Sequence, residues 1–313
     1  MRLRGFVPLL LMALWALSGT VAGHQATATA PTAAAAGPNL ASVNAAVAKA
    51  GEPELLFGKN AERSVPIASL TKVMTALVVL DSGIPLDEWL TFKKRHTPAA
   101  ANAYTRIRVD SQMPRSEVLR IALMSSENFA AYTLARSHPG GFDAFIAAMN
   151  AKARELGMTK TRFVDPTGLS VENVSTASDL VKLVRAAARH PQMEEYSTTG
   201  YYRAWFRNPR YSLSFGNTNA LVHRDSWGVT LSKTGYLDEA GRCLVMIAQM
   251  NGKQVVTVLL DSLGTRSPMG DAGRIKRWLD TGARGQVAKA ARRYEQAKNA
   301  AYAAANDNTV STN

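Results

Sequence analysis

A serine and a lysine stand three residues apart at the start of a long apolar segment, at Ser69 and Lys72. This spacing places two side chains on the same face of a helix, one turn apart. A serine hydroxyl becomes an effective nucleophile when a neighbouring base accepts its proton, and a lysine can be that base if burial or another cation lowers its pKa. The pair therefore predicts covalent catalysis by a serine with a lysine base.

The surrounding residues predict a helix that is buried on every side. Pro66 cannot occupy a helix interior, so we expect the helix to begin at Ser69. Residues 70–80 are almost all apolar and leave no polar face for solvent. Burial in such a helix could supply the roughly 4–5 kcal/mol needed to lower a lysine pKa from about 10.4 to near 7. Unpaired N–H groups at the helix start would suit an oxyanion.

The S-x-x-K pattern is loose, and a structural interpretation of it stays open. Ser69 could cap the helix while Lys72 extends its amine to solvent. No other lysine in the sequence has a serine three residues before it. The catalytic interpretation therefore points to one place in the chain.

Two further polar motifs fall where a cleft between a helical lobe and a sheet would be lined. The segment Ser125–Asn128 interrupts an apolar helical pattern that we predict over 116–136, and buried polar groups need partners or a function. The segment Lys233–Gly235 places a lysine, a hydroxyl and a glycine at the end of a predicted strand, where the glycine would admit a substrate backbone. Each motif also has a purely structural interpretation: the first could be a helix–loop junction, and the second could be an ordinary strand end.

Hydrophobic periodicity predicts an α+β fold in which an antiparallel sheet is flanked by helices. The predicted strands are Val43–Ala48, Glu54–Gly58, Gly228–Thr234, Cys243–Met250 and Gln254–Asp261. The predicted helices beyond the Ser69 segment are Ser116–Arg136, Phe142–Leu156 and Ala177–Arg189. Asn251-Gly252 predicts a tight turn between the last two strands. The sheet is thus expected to form from both ends of the sequence, with an inserted helical lobe between them.

The N-terminal sequence predicts export. Arg2 and Arg4 precede an apolar run that is too short to span a membrane, so residues 1–23 are predicted to be a cleavable signal peptide, with an uncleaved anchor as the alternative. Residues 24–38 are predicted to be a disordered linker. Cys243 is the only cysteine, which excludes an internal disulfide, and we expect it to be a small buried apolar residue.

The net charge of +13 indicates an anionic partner. For an exported protein the candidates are cell-wall polymers and anionic lipid rather than nucleic acid, and no nucleic-acid motif accompanies the charge. The five histidines are scattered without the spacing of metal ligands, so we predict no metal and no cofactor.

Taken in order, the three motifs resemble those of penicillin-binding proteins and serine β-lactamases. The matching residues are Ser69 and Lys72 (S-x-x-K), Ser126 and Asn128 (S-x-N), and Lys233, Thr234 and Gly235 (K-T-G). The sequence around them resembles the low-molecular-mass D-alanyl-D-alanine peptidases over about residues 40–280, and Asp165–Leu169 resembles a loop of that group. The resemblance implies a β-lactamase/transpeptidase-like fold in the periplasm, peptidoglycan stem peptides as substrate, and β-lactams as covalent inhibitors.

The resemblance also implies a role for each motif residue. Ser69 would form an acyl-enzyme with Lys72 as its base, and Ser126 would relay a proton to the leaving amine. The residues implied to bind the substrate are Asn128, Lys233, Thr234, Gly235 and Tyr236. Lys233 would also help to keep Lys72 neutral, and the backbone N–H groups of Ser69 and Tyr236 would form the oxyanion hole.

Departures from the wider family narrow the expected activity. The carboxypeptidases usually continue into a β-rich domain and an anchoring helix, whereas the predicted catalytic domain, 39–282, is followed only by a basic Ala-rich tail, 283–313. We expect this tail to be a solvated helix or a frayed end, without a stable membrane anchor, and to contribute little to packing. Glu127, Tyr236 and the one-domain length resemble the D-alanyl-D-alanine endopeptidases of the penicillin-binding protein 7 type.

Alternative activities stay open at this level. A carboxypeptidase, or a module that is acylated without turnover, would carry the same motifs. A class A β-lactamase is disfavoured because its E-x-x-L-N loop is missing between the second and third motifs. Other cell-wall enzymes are further candidate partners.

Overall fold

The computed structural model describes residues 37–96 and 104–310 of the chain. The predicted signal peptide, and all of the predicted linker except its last two residues, lie outside them. The helices are Thr71–Asp81 (α1), Arg115–Met124 (α2), Asn128–Arg136 (α3), Gly141–Glu155 (α4), Ala177–Ala187 (α5), Pro191–Ser197 (α6), Ser267–Thr281 (α7) and Lys289–Val310 (α8). The strands are Asn44–Lys49 (β1), Leu55–Lys59 (β2), Val65–Pro66 (β3), Trp89–Thr91 (β4), Gln112–Pro114 (β5), Val174–Ser175 (β6), Tyr201–Phe206 (β7), Tyr211–Gly216 (β8), Leu231–Leu237 (β9), Gly241–Met250 (β10) and Lys253–Ser262 (β11).

The central sheet has five antiparallel strands in the order β2-β1-β11-β10-β9. Its first two strands come from the N-terminal part of the described chain and its last three from the C-terminal part, which confirms the predicted assembly from both ends. Successive residues of β1 face two different cores: Ala46 packs with α1 and the helical lobe, whereas Val47 packs with α7. Both faces are covered, so β10 and β11 are nearly continuous apolar runs rather than alternating ones.

A tight turn joins β10 to β11, as Asn251-Gly252 predicted. Both residues have positive φ, 48° and 68°, the backbone that a two-residue turn of the hairpin type requires. Cys243 lies in β10 and is 2% exposed, as expected of a small buried residue.

The helix predicted over 116–136 is in fact two helices, α2 and α3, separated by Ser125–Glu127. Ser126 has a φ of 62°, which ends the first helix. The Glu127 side chain then caps the second helix by accepting a hydrogen bond from the Phe129 N–H at 3.1 Å. Local side-chain hydrogen bonding thus overrides the apolar periodicity at this point.

Strands also lie between Gly58 and Gly228, where the hydrophobic pattern predicted only helices, so that prediction is incomplete. Short strands pair as β3 with β6 and β4 with β5, and β7 and β8 form a separate hairpin. In β7 the side chains alternate between exposed and inward-facing, as expected of a strand with one covered face. Four of the six residues 201–206 are aromatic, and this enrichment was the available signal of a strand.

The C-terminal segment is a docked helix, which contradicts the prediction that it contributes little to packing. The Tyr294 hydroxyl of α8 donates to Asp261 Oδ1 at 2.6 Å, and Lys298 forms an ion pair with the same carboxylate at 3.2 Å. Asp261 is 1% exposed, and Tyr302 packs against the main core. The sequence prediction failed because it considered apolar residues only, whereas α8 is held by polar contacts to a buried carboxylate. No helix of the described residues is both long and apolar enough to cross a membrane.

Candidate active site

Ser69 lies in a single 3-10 turn, Ala68–Leu70, that immediately precedes α1. The predicted helix start at Ser69 is therefore two residues early. Ala68 has a positive φ of 48°, an unusual backbone for a residue with a side chain, and the Thr71 hydroxyl donates to the Ala68 carbonyl at 2.8 Å. From Thr71 to Val79 every residue of α1 is buried, as the sequence predicted.

Lys72 is 1% exposed, and its amine is surrounded by three oxygen atoms. Its Nζ lies 2.8 Å from Ser69 Oγ, 2.8 Å from Asn128 Oδ1 and 2.6 Å from the Thr167 carbonyl oxygen. The alternative interpretation, in which the lysine extends to solvent, is excluded by this burial. The structure therefore brings the first and second motifs into direct contact around one amine.

Burial lowers the pKa of Lys72 to about 7. The Asp165 and Glu127 carboxylates partly offset this effect, because they favour the charged form and raise the pKa. The Arg95 guanidinium lowers the pKa of Lys72 further. A lysine with a pKa near 7 is substantially neutral at physiological pH, so it can accept a proton from Ser69.

The loop that follows Asp165 positions the third oxygen atom around Lys72. The Asp165 carboxylate accepts hydrogen bonds from the backbone N–H groups of Thr167, Gly168 and Ser170 at 2.6, 2.8 and 2.9 Å. These bonds fold the loop back on itself. The sequence drew attention to this loop by resemblance but assigned it no role, and the structure places its Thr167 carbonyl on the lysine.

Asn173 fastens this loop to the start of α1. Its Nδ2 donates to Thr71 Oγ1 at 3.0 Å and to the Asp165 carbonyl at 2.9 Å, while its Oδ1 accepts from the Val164 N–H at 2.7 Å. Sequence reasoning missed Asn173, because an asparagine in a polar loop resembles a surface residue. Its complete burial became evident only in the folded chain.

Gly168 packs closely against the backbone of the segment that carries Ser69. A Cβ atom on Gly168 would lie 2.0 Å from the Ala68 carbonyl oxygen, and its φ is +80°. Gly235 packs against the same segment, where an added Cβ would lie 3.0 Å from the Ser69 nitrogen and 3.2 Å from the Ala68 Cβ. We predicted that Gly235 admits a substrate backbone; the structure places it against the backbone of Ser69.

Lys233 and Thr234 lie within β9 rather than at its end, which corrects the predicted strand boundary. Lys233 is 1% exposed, and its Nζ donates to the Thr234 carbonyl at 2.7 Å. The pKa of Lys233 is held well below its usual range, mainly by burial and secondly by the charge of Lys72. Because electrostatic coupling is reciprocal, a charge on Lys233 also opposes a charge on Lys72.

A cavity of about 380 Å³ opens beside this strand. Ser126, Thr234 and Tyr236 line it together with Thr218, whose hydroxyl accepts a hydrogen bond from the Thr234 hydroxyl at 2.6 Å. Thr218 was not singled out from the sequence, since no motif contains it. All three motifs therefore border one site: Lys72 joins the first to the second, and the cavity joins the second to the third.

The side chain of Tyr236 lines this cavity, is 46% exposed and stacks against the Arg242 guanidinium at 3.7 Å. The predicted function of Tyr236 involves its backbone N–H alone, so that prediction does not depend on the side chain. Within residues 37–96 and 104–310, no three His, Cys, Asp or Glu side chains are grouped as a metal site.

Comparisons with known proteins agree with this geometry. Residues 29–264 match the peptidase family described as D-alanyl-D-alanine carboxypeptidase. The chain is 46% identical to the D-alanyl-D-alanine endopeptidase of Escherichia coli, covering 88% of this chain and 89% of that protein. It is 47% identical to the D-alanyl-D-alanine endopeptidase of Pseudomonas aeruginosa, covering 82% of each.

Solved structures have the same fold. The Streptomyces K15 DD-transpeptidase superimposes with a TM-score of 0.71 at 28% identity, over 78% of this chain and 98% of that one. Penicillin-binding protein D2 from Listeria monocytogenes, in its cefotaxime-bound form, gives a TM-score of 0.66 at 30% identity, over 77% and 97%. These matches confirm the α+β, β-lactamase/transpeptidase-like fold. The chain therefore belongs to the D-alanyl-D-alanine carboxypeptidase family of serine peptidases.

Proposed function

We propose that this protein hydrolyses D-alanyl peptide bonds in the cross-links between peptidoglycan stem peptides. The observation that carries the proposal is the 2.8 Å contact between Ser69 Oγ and the buried amine of Lys72. Endopeptidase action is favoured because the relatives that match at 46–47% identity over 82–89% of their length are named endopeptidases. The relatives named carboxypeptidases match at 28–32%.

In the proposed acylation step, Ser69 Oγ attacks the carbonyl carbon of a D-alanyl residue. Its proton passes to the neutral amine of Lys72, and the carbonyl oxygen becomes an oxyanion. The backbone N–H groups of Ser69 and Tyr236 stabilise that oxyanion. Such preorganised donors are typically worth about 10²–10³-fold in rate each.

Collapse of this intermediate breaks the peptide C–N bond and leaves an ester on Ser69. The leaving amine needs a proton, and in this proposal the Ser126 hydroxyl delivers it and is reprotonated from Lys72. A water molecule then attacks the ester carbonyl, which releases the shortened stem peptide and regenerates the serine hydroxyl.

Substrate binding in this proposal uses the other motif residues. Asn128 holds a substrate amide, while Lys233 and Thr234 supply positive potential and a hydroxyl to a polar or anionic group of the substrate. An anion at this point favours the charged form of Lys233, and that charge in turn favours a neutral Lys72. Binding of the substrate would therefore promote the protonation state that acylation requires.

The proposed site of action is the periplasm. The predicted signal peptide, 1–23, supports export, and the net charge of +13 suits an anionic wall polymer.

The test is to incubate the purified protein with a cross-linked dimeric muropeptide and, separately, with a monomeric pentapeptide. The products are identified by mass, and Ser69→Ala serves as the inactive control. Conversion of the dimer to monomers supports an endopeptidase. Loss of one alanine from the pentapeptide alone identifies a carboxypeptidase, and the absence of product from both substrates would contradict a hydrolase.

A second test locates the nucleophile. A labelled penicillin should attach covalently to Ser69, and peptide mapping by mass identifies the modified residue. An adduct on Ser125 or Ser126 would refute the assignment.

A further inference from the structure

The β7–β8 hairpin presents an exposed aromatic and basic surface that the proposed catalytic steps do not use. Tyr201 is 80% and Trp205 63% exposed, and the exposed Arg203 lies between them on the same face of β7. The Arg203 guanidinium stacks over the Trp205 ring at 5.3 Å. Two residues of a strand span about 6.6 Å, so this stripe is about 13 Å long. We refer to Tyr201, Arg203 and Trp205 as the hairpin platform.

The positive charge on this surface is uncompensated. Residues 199–216 contain three arginines and no aspartate or glutamate. Neighbouring Arg106 donates to the Ser214 carbonyl at 2.7 Å, directly across the hairpin from Arg203. Within the part of the chain that the structure describes, the salt bridges involve none of these four arginines. The surface is therefore suited to an anionic ligand.

A cavity of about 530 Å³ extends the platform at the tip of the hairpin. Trp89 and Trp205 line it together with Arg207 and Arg210. The Arg207 guanidinium lies 3.7 Å above the Trp89 ring, and its Nε donates to Gln112 Oε1 at 2.8 Å. These contacts hold the arginine in place, so little side-chain entropy would be lost when it binds a ligand.

The platform begins next to the catalytic cleft and leads away from it. Tyr201 pairs with Gly216 at the base of the hairpin. Two residues later, Thr218 contacts Thr234 of the third motif through their hydroxyl groups, at 2.6 Å. A polymer whose reacting bond lies in the cleft could therefore continue along the hairpin.

We propose that the hairpin platform and the cavity at its tip bind a peptidoglycan strand beyond the bond that is cleaved. The C–H faces of sugar rings, which are weakly positive, pack against the electron-rich faces of Trp205, Trp89 and Tyr201. The stem-peptide carboxylates pair with Arg203, Arg207 and Arg210. This inference rests on the proposed function, since it assigns the extended part of the same substrate.

The experiment measures binding to isolated peptidoglycan sacculi by co-sedimentation, in a Ser69→Ala background that leaves the sacculi intact. The test variant is Arg203→Ala/Trp205→Ala. The matched control is Leu55→Ala/Arg189→Ala, which also removes one exposed apolar and one exposed basic side chain but lies on β2 and after α5. We expect at least about tenfold weaker binding by the test variant and unchanged binding by the control.

Penicillin acylation is measured in parallel, with Ser69 intact. Because penicillin is small and occupies only the cleft, both double variants should be acylated at the wild-type rate, which shows that the fold and the catalytic residues are preserved. If acylation by the test variant also falls, Arg203→Glu replaces it, since a charge reversal on an exposed side chain leaves the core untouched.

Three outcomes would overturn the proposal. The first is equal sacculus binding by the test and control variants. The second is an equal loss of hydrolysis on sacculi and on small soluble muropeptides, which would place the effect in the cleft. The third is wild-type binding to an acidic protein, lost in the test variant, with no binding to sacculi. Failure of the proposed function itself is distinguishable, because wild-type protein would then bind sacculi but cleave no muropeptide.

Discussion

The amine of Lys72 lies 2.6 Å from the Thr167 carbonyl oxygen, a contact between residues 95 positions apart in the sequence. A neutral amine has two N–H donors and one lone pair. Two of its three neighbours, the Thr167 carbonyl and Asn128 Oδ1, can only accept hydrogen bonds from it. Once those acceptors engage both N–H groups, the lone pair is directed at the third neighbour, Ser69 Oγ. The 165–173 loop thus orients the amine that we propose as the base.

Replacing Lys72 by arginine should abolish acylation, although the side chain stays long and basic. A guanidinium does not lose its proton at ordinary pH, so it cannot accept the proton of Ser69. Loss of a general base typically costs about 10²–10⁴-fold in rate. The measurement is the rate of penicillin acylation by Lys72→Arg, with a melting curve as the control for folding. Acylation at a near wild-type rate would show that Lys72 is not the base.

Acylation should increase with pH through about 7, the pKa to which burial lowers Lys72. The neutral amine is the active form, so the rate should fall about tenfold per pH unit well below this pKa and level off above it. Acylation rates between pH 5 and 9 provide the measurement. Because the Glu127 carboxylate raises the pKa of Lys72, Glu127→Gln should move the midpoint to lower pH. A midpoint at the pKa of a free lysine would contradict the role of burial.

Lys233 should tolerate arginine better than alanine. The role inferred for Lys233 is that of a cation facing the substrate, and Lys233→Arg keeps the charge while changing its geometry. We expect its acylation rate to fall but stay measurable, with a larger loss in Lys233→Ala. Since Lys233 is buried, melting curves of both variants are needed to separate a catalytic defect from misfolding. Equal rates in the two variants would show that the charge is not used.

Gly168→Ala should destabilise the Ser69 segment by more than the cost of placing an alanine at a positive φ. Its Cβ would meet the Ala68 carbonyl oxygen at 2.0 Å. Gly157→Ala is the matched control, since Gly157 also has a positive φ, +67°, but an added Cβ would meet nothing within 4 Å. The control should cost about 1–2 kcal/mol of folding free energy, and Gly168→Ala about 1–3 kcal/mol more together with most acylation. Similar denaturation midpoints would refute the packing argument.

Tyr294→Phe should destabilise the protein, because it removes the 2.6 Å hydrogen bond to the buried Asp261 carboxylate. Hydrogen bonds to charged groups are worth about 1.5–3 kcal/mol, which denaturant unfolding can resolve. Tyr104→Phe is the control, since Tyr104 is 82% exposed.

Deleting residues 289–313 should lower the melting temperature further. An unchanged melting temperature after the deletion would restore the sequence-based view of this segment as dispensable.

The sequence by itself determined which residues we propose to carry the chemistry. Three motifs in order, a helix without a polar face and a glycine-containing turn are local patterns, and local patterns follow from residue spacing and backbone preference. The break between α2 and α3 was also foreshadowed, because Ser125–Asn128 interrupts the apolar pattern. The hairpin 201–216 shows the limit of this approach, since the aromatic enrichment of its first strand was present in the sequence and was not recognised.

Only the tertiary structure decided how those residues are held. The Thr167 carbonyl and the Asn173 side chain became part of the site through contacts with α1, and backbone atoms carry no sequence signal of their own. Gly168 and Gly235 are required by the space beside Ala68, which does not exist until β9 and the loop meet. The last helix docks on Asp261 of β11, whose buried carboxylate contacts Tyr294 and Lys298 of that helix. Such contacts depend on which segments, distant in the sequence, come together, and only the tertiary fold decides this.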